Sequence, residues 1–185
     1  MKSAVIIILI LMFAQASAWA DNCVFVPAKS VCGVSIKSSR KQFLQKLGEP
    51  DGQISMGKNK IGYFYGQSIL IIFENEKLWE IDGWETNPNI DFWNYVSNHP
   101  DRDSMQLVFT EWNPWGLTRK DVEVHENEFP LIDADGFTEF RKAGKSSLTI
   151  YYDPFYSAKS DQRCEDAETY QVNRITISFH ETRFE

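Results

Sequence analysis

The stretch Gly66–Phe73 reads GQSILIIF, and the stretch Gly144–Tyr152 reads GKSSLTIYY. Each begins with Gly-x-Ser, which is typical of a turn, and continues into apolar, β-branched and aromatic residues, which favour strands. A glycine and then a proline precede each stretch in the same order: Gly33 and Pro50, then Gly116 and Pro130. Such a tandem repeat predicts two small units that share a sheet or pack side by side, because each alone buries too little apolar surface.

The first unit has a helix signal followed by strand signals. Ser39–Gln42 has the spacing of a capping box, and Gly48 followed by a proline is a stop signal, so we expect a helix over 39–47. The apolar pattern then predicts three strands, the middle one central: 61–66, 69–74 and 77–83. Asn87–Pro88 indicates the start of a second helix, and a further strand is expected over 105–112.

The second unit has a weaker helix signal. We expect a short helix near 118–127, followed by strands near 137–142, 146–152 and 172–180. The expected fold class is therefore α+β, with two tandem modules of a helix plus an antiparallel sheet and with the helices on one sheet face. The expected boundaries are 1–20 for a signal peptide, 21–112 for module one and 113–185 for module two.

The N-terminus has the features of an export signal. Lys2 precedes the apolar run Ala4–Ala14, and small residues end in Ala18-Trp19-Ala20, so cleavage after Ala20 is expected; the alternative is an uncleaved membrane anchor. The apolar run is shorter than the roughly 20 residues that span a bilayer. We therefore expect a periplasmic or secreted protein with no stable membrane anchor after signal cleavage.

The charge balance bears on the class of partner. The chain has 19 Lys and Arg against 26 Asp and Glu, a formal net charge of −7. This acidic balance argues against binding to nucleic acid or anionic lipid, and it could favour a basic partner.

The three cysteines allow more than one pairing. In an oxidising compartment, a Cys23–Cys32 disulfide would tie down the mature N-terminus and leave Cys164 free. The alternative pairing, Cys32 with Cys164, would link the two modules, and spacing does not decide between them.

No constellation with specific chemistry occurs in the sequence. His99, His125 and His180 have no metal-ligand spacing, and no nucleophile elbow or phosphate-binding glycine loop is found. Asp133–Gly136 departs from a calcium loop and reads as a turn. We therefore expect a protein that is not an enzyme and that has no cofactor or metal site.

Aromatic residues provide the remaining signal. Trp79 and Trp93 have apolar neighbours at strand or helix spacing and are expected in the core. Trp84 instead shares a strand face with two acidic residues, and the last strand directs polar residues to the corresponding face. Such a face is either an ordinary solvated surface or a protein-binding surface, because Trp, Tyr and Arg serve as interface anchors. The candidate binding residues are Glu80, Asp82, Trp84, Trp112, Trp115, Tyr151, Arg174 and His180.

The first unit also resembles a known superfamily. A helix ending in Phe43–Asp51 (FLQKLGEPD), followed by Tyr63–Gly66 and a hairpin closing on Lys77-Leu78, is similar to the superfamily of small outer-membrane lipoprotein A and β-lactamase-inhibitor protein. The resemblance implies a helix that leads into an antiparallel sheet, and two such units look like the inhibitor branch. Module two departs from the pattern of this superfamily, because it lacks Leu-Gly before Pro130.

These observations lead to one main functional expectation. We expect a non-catalytic protein-binding module, an inhibitor or immunity protein that neutralises an enzyme or toxin in the cell envelope by occlusion. The alternatives are an envelope-assembly accessory protein and a carbohydrate-binding module, because an exposed Trp can also stack on a sugar.

Overall fold

The computed structural model describes residues 22–85, 105–153 and 170–180. The strands are β1 (Asn22–Val26), β2 (Ser30–Val31), β3 (Val34–Ser35), β4 (Gly52–Ser55), β5 (Lys60–Tyr65), β6 (Ile69–Glu74), β7 (Lys77–Trp84), β8 (Gln106–Phe109), β9 (Leu131–Ala134), β10 (Thr138–Ala143), β11 (Ser146–Asp153) and β12 (Gln171–Ser178). The helices are α1 (Arg40–Leu47) and α2 (Arg119–Glu123). The second helix, which was expected to begin at Asn87, lies outside the described residues. Trp93, Cys164 and the export signal also lie outside them.

The strands form one large and one small sheet. The large sheet has the order β4-β5-β6-β7-β12-β11-β10-β9, and all its neighbouring strands are antiparallel. Its two halves meet where β7 pairs with β12. The small sheet has the order β3-β2-β1-β8, and β1 runs parallel to β8.

The fold is mainly β, with one sheet of eight strands and one of four, so the expected α+β class of two tandem modules with helices on one sheet face is wrong. α1 has 8 residues and buries Phe43 and Leu47, while α2 has 5 residues and buries Val122. These short helices cover little of the core-facing side of the large sheet, which we call its inner face. The small sheet contributes residues to the same core. Leu107 of β8 lies so close to β7 that a Cβ at Gly83 would come within 2.8 Å of it.

Local signals did predict where the helices begin. Ser39 and Gln42 form the expected capping box before α1, and Thr118 and Asp121 form the same arrangement before α2. Each capping residue also makes an isolated β-bridge with the first residue of a central strand, Ser39 with β7 and Thr118 with β12. Both helix starts are therefore attached to the strands at which the two halves of the sheet meet.

The disulfide joins Cys23 to Cys32, as the first of the two pairings predicted. It links β1 to the turn after β2, and Cys23 is fully buried. Disulfides persist in oxidising compartments, which fits an exported protein. None of the helices in the described ranges has the length and apolar character needed to cross a membrane.

Candidate functional site

The candidate site is the outer face of the large sheet where β7 pairs with β12. On β12, Ile175 and Ile177 point into the core, so the residues that alternate with them, Arg174, Thr176 and Ser178, point outward. We define the outer face by these residues: Trp79, Glu80, Asp82, Trp84, Tyr151, Arg174, Thr176, Ser178 and His180. Of the residues predicted to form a binding surface, Glu80, Asp82, Trp84, Tyr151, Arg174 and His180 all lie here.

Strand register places these side chains in three cross-strand rows. Trp84 lies opposite Arg174, Asp82 opposite Thr176, and Glu80 opposite Ser178. Tyr151 on β11 extends the first row, because it lies opposite Arg174 on the other side. The face therefore presents an aromatic and basic row, a central acidic row and a second acidic row.

Asp82 is the best-satisfied carboxylate of the outer face. Its Oδ1 accepts a hydrogen bond from Arg174 Nη2 at 3.1 Å and another from the Thr176 hydroxyl. The Arg174 guanidinium also lies over the Tyr151 ring, 5.1 Å from its centre. The Asp82 side chain is 8% exposed and that of Arg174 is 48% exposed, so the pair holds a cation in place while leaving half of it accessible.

Glu80 is less well satisfied. Its Oε2 accepts a hydrogen bond from the Ser178 hydroxyl at 3.1 Å. No lysine or arginine in the described ranges forms an ion pair with it. Burial, followed by the negative charge of Asp82, raises the pKa of Glu80 above its ordinary value.

Trp79 belongs to the outer face and not, as predicted, to the main core. The imidazole of His180 stacks on its ring with centres 3.9 Å apart, and Lys60 Nζ lies 3.7 Å from the ring centre. At such distances the two groups must occupy opposite faces of the indole. The cause is a register shift between Ile72 and Phe73 on β6, which leaves Trp79 without an opposite residue and interrupts the alternation of β7.

Beneath the tryptophans lies a small apolar cluster of the outer face, separate from the main core. It consists of Phe64, Leu70 and Ile72, with Trp79 and Trp84 packed against it. Trp84 is half-buried for this reason. Its indole therefore also contributes to the packing of this face.

Trp112 and Trp115, which were also predicted as binding residues, do not lie on the outer face. Trp112 is buried in the main core, stacked between Phe109 and His125 at centre distances of 4.6 and 4.2 Å. Trp115 packs against the same core, and its Nε1 donates a hydrogen bond to the Leu107 carbonyl at 2.7 Å. Both residues follow β8 in the chain, and β8 belongs to the small sheet and not to the large one.

A second polar cluster lies on the inner face, and the sequence reasoning missed it. Glu139 accepts hydrogen bonds from Arg141 Nε at 2.7 Å and from the Tyr152 hydroxyl at 2.9 Å, and it forms an ion pair with Arg119 at 3.0 Å. The Arg141 side chain is 1% exposed and also donates to the Phe129 carbonyl. Burial and the adjacent Glu139 raise the pKa of Tyr152. The sequence signal for this cluster was the alternation of β10, in which Glu139 and Arg141 lie on the same side of the strand as the fully buried Ala143.

The outer face presents groups that can form ring contacts, hydrogen bonds and ion pairs. Residues 22–85, 105–153 and 170–180 contain no group of three or more His, Cys, Asp or Glu side chains placed to hold a metal ion. The outer face instead combines indole and phenol rings with one accessible cation and two carboxylates. Such a mixture is typical of surfaces that bind proteins.

Comparison with known proteins gives little additional information. No protein-family model matches the chain, and no curated protein matches it significantly. Among solved structures it is similar to a cysteine-rich secretory protein from Staphylococcus aureus subsp. aureus Mu50, with 14% sequence identity and a TM-score of 0.44. The match covers 84% of this chain and 48% of that protein, so the chain spans about half of its length. At this level of similarity, no functional argument follows.

Proposed function

We propose that this protein is a periplasmic or secreted, non-catalytic module that binds another protein through its outer face and neutralises an enzyme or toxin of the cell envelope by occlusion. The observation that carries the proposal is the arrangement of Trp84, Tyr151 and Arg174 in one cross-strand row. These are residue types that contribute most of the binding energy at protein interfaces. The resemblance to the inhibitor branch stated above leads to the same proposal.

The way Arg174 is held supports a role as an interface anchor. Asp82 and the Tyr151 ring restrain the guanidinium, yet about half of the side chain remains exposed. A long side chain that is ordered before binding loses less conformational entropy when the complex forms. Arg174 is therefore preorganised to meet a carboxylate, a backbone carbonyl or an aromatic ring of a partner.

The packing around Trp79 is a reason to prefer a protein over a carbohydrate as the partner. A sugar stacks on the flat face of an aromatic ring, and both faces of Trp79 are covered by groups of this chain. Sugar binding at this ring would require His180 or Lys60 to move away. An envelope-assembly role would also use a protein partner, and no separate observation favours it.

Site-specific photo-cross-linking in the producing cells tests the proposal. The photoreactive residue p-benzoylphenylalanine replaces Thr149, which lies on β11 opposite Thr176, whereas the residues that contact the Arg174 guanidinium are Asp82 and Tyr151. The control carries it at Val124, which is 79% exposed and lies outside the outer face. We expect a discrete cross-linked protein from position 149 and not from position 124. Equal cross-linking from both positions, or none from position 149, would contradict binding through the outer face.

A further inference from the structure

We propose that the partner presents an arginine or lysine side chain that pairs with Glu80. This inference rests on the proposed function, since it assumes that the outer face binds a protein. It adds the chemical class of the group that the face recognises and the position at which it is recognised.

Two neighbouring carboxylates of the outer face differ in the hydrogen-bond donors that they receive. Asp82 and Glu80 project from the same strand onto the same face, two residues apart. Asp82 receives a guanidinium and a hydroxyl, whereas Glu80 receives, from the residues that the structure describes, the Ser178 hydroxyl alone. A half-buried carboxylate gains most from a cation, because charged hydrogen bonds are about twice as strong as neutral ones.

The cations that the structure describes near this face are already engaged elsewhere. Arg174 is held by Asp82 and lies over Tyr151. Lys60 lies over the Trp79 ring and 3.7 Å from Glu74. His180 stacks flat on the other side of the same ring. A cation for Glu80 must therefore come from outside the described part of this chain.

Electrostatics favour a basic side chain at this position over an acidic one. The charged or titratable groups that influence Glu80 are Asp82 on its own strand and Arg174 and His180 on or beside β12. Burial and Asp82 disfavour the ionised carboxylate, which is consistent with an incomplete site that a partner's positive charge would complete. The net charge of −7 would also speed the approach of a basic partner.

The test uses the full exported chain as bait and a phage-displayed library of random twelve-residue peptides as the probe. Enriched peptides are synthesised and their affinities measured against the wild-type protein, Glu80→Gln and Glu123→Gln. Glu80→Gln keeps the shape and an acceptor for Ser178 but removes the charge. Glu123→Gln makes the same charge change on the exposed side of α2.

We expect the enriched peptides to share an arginine or a lysine, and we expect its replacement by citrulline or acetyl-lysine to weaken binding. We also expect Glu80→Gln to weaken binding about tenfold and Glu123→Gln to leave it unchanged. If the peptides bind Trp84→Ala more weakly than wild type but bind Glu80→Gln as tightly as wild type, this inference is overturned. That result would still support the outer face as a binding surface. Peptides unaffected by both changes would contradict the proposed function as well, and failure to enrich any peptide would count against both.

Discussion

Glu139 on the inner face of the large sheet and Glu80 on its outer face are both glutamates on strands, yet their surroundings differ sharply. Glu139 receives two arginines and a tyrosine hydroxyl, all from this chain. Glu80 receives one serine hydroxyl, and burial raises its pKa. The inner carboxylate is therefore paired with arginines of this chain, whereas the outer one has no ion pair with a lysine or arginine of the described residues.

The largest effect is expected when the inner cluster is broken. Glu139→Gln leaves Arg141 buried without a full counter-charge, so the free energy of unfolding should fall by about 3–5 kcal/mol. Urea unfolding monitored by tryptophan fluorescence measures the change. The matched variant Glu123→Gln, on the exposed side of α2, should stay within about 0.5 kcal/mol of wild type. A loss below about 1 kcal/mol for Glu139→Gln would mean that the inner cluster is not the structural element we describe.

The next effect concerns the aromatic anchor of the outer face. Trp84→Ala should weaken binding of the enriched peptides by about 2 kcal/mol or more, as for an interface hot spot. It should also lower the free energy of unfolding by about 1–2 kcal/mol, since the indole packs on the apolar cluster beneath it. Calorimetric titration and urea unfolding separate the two effects. Unchanged peptide affinity would remove Trp84 from the binding surface.

A smaller effect is expected at the exposed cation. Arg174→Gln removes one of the two hydrogen-bond donors that the buried Asp82 carboxylate receives from the described residues, while Thr176 remains, so stability should fall by about 1 kcal/mol. Because Arg174 is half exposed, salt should screen part of this difference. Unfolding of both proteins at low and at high sodium chloride checks it. A difference that grows with salt would contradict the assignment of an electrostatic pair.

The sequence was most informative where structure depends on neighbours along the chain. The capping box at Ser39, the buried strand Ile69–Phe73 and the common face of Glu80, Asp82 and Arg174 all follow from local spacing and strand alternation. These features need no knowledge of distant contacts.

Features that depend on distant contacts or on broken alternation were not predictable. The parallel pairing of β1 with β8 joins Cys23 to Leu107, which no local pattern indicates. The bulge on β7 moved Trp79 to the outer face, because one extra residue reverses the side to which a strand directs its side chains. Glu139 and Arg141 would ordinarily be placed on the surface, since lone charges are rarely buried.

The most direct test of the central claim compares the thermal unfolding of the wild-type protein and Glu80→Gln as a function of pH. A folded-state pKa raised above the ordinary 4.5 means that stability is present below that value and is lost as pH rises through the folded pKa. Glutamine does not titrate, so the variant should have a higher Tm than wild type at pH 7, and this advantage should disappear at pH 3.5. A lower Tm for the variant at pH 7 would show that the Glu80 carboxylate is already satisfied within the fold and would contradict the account.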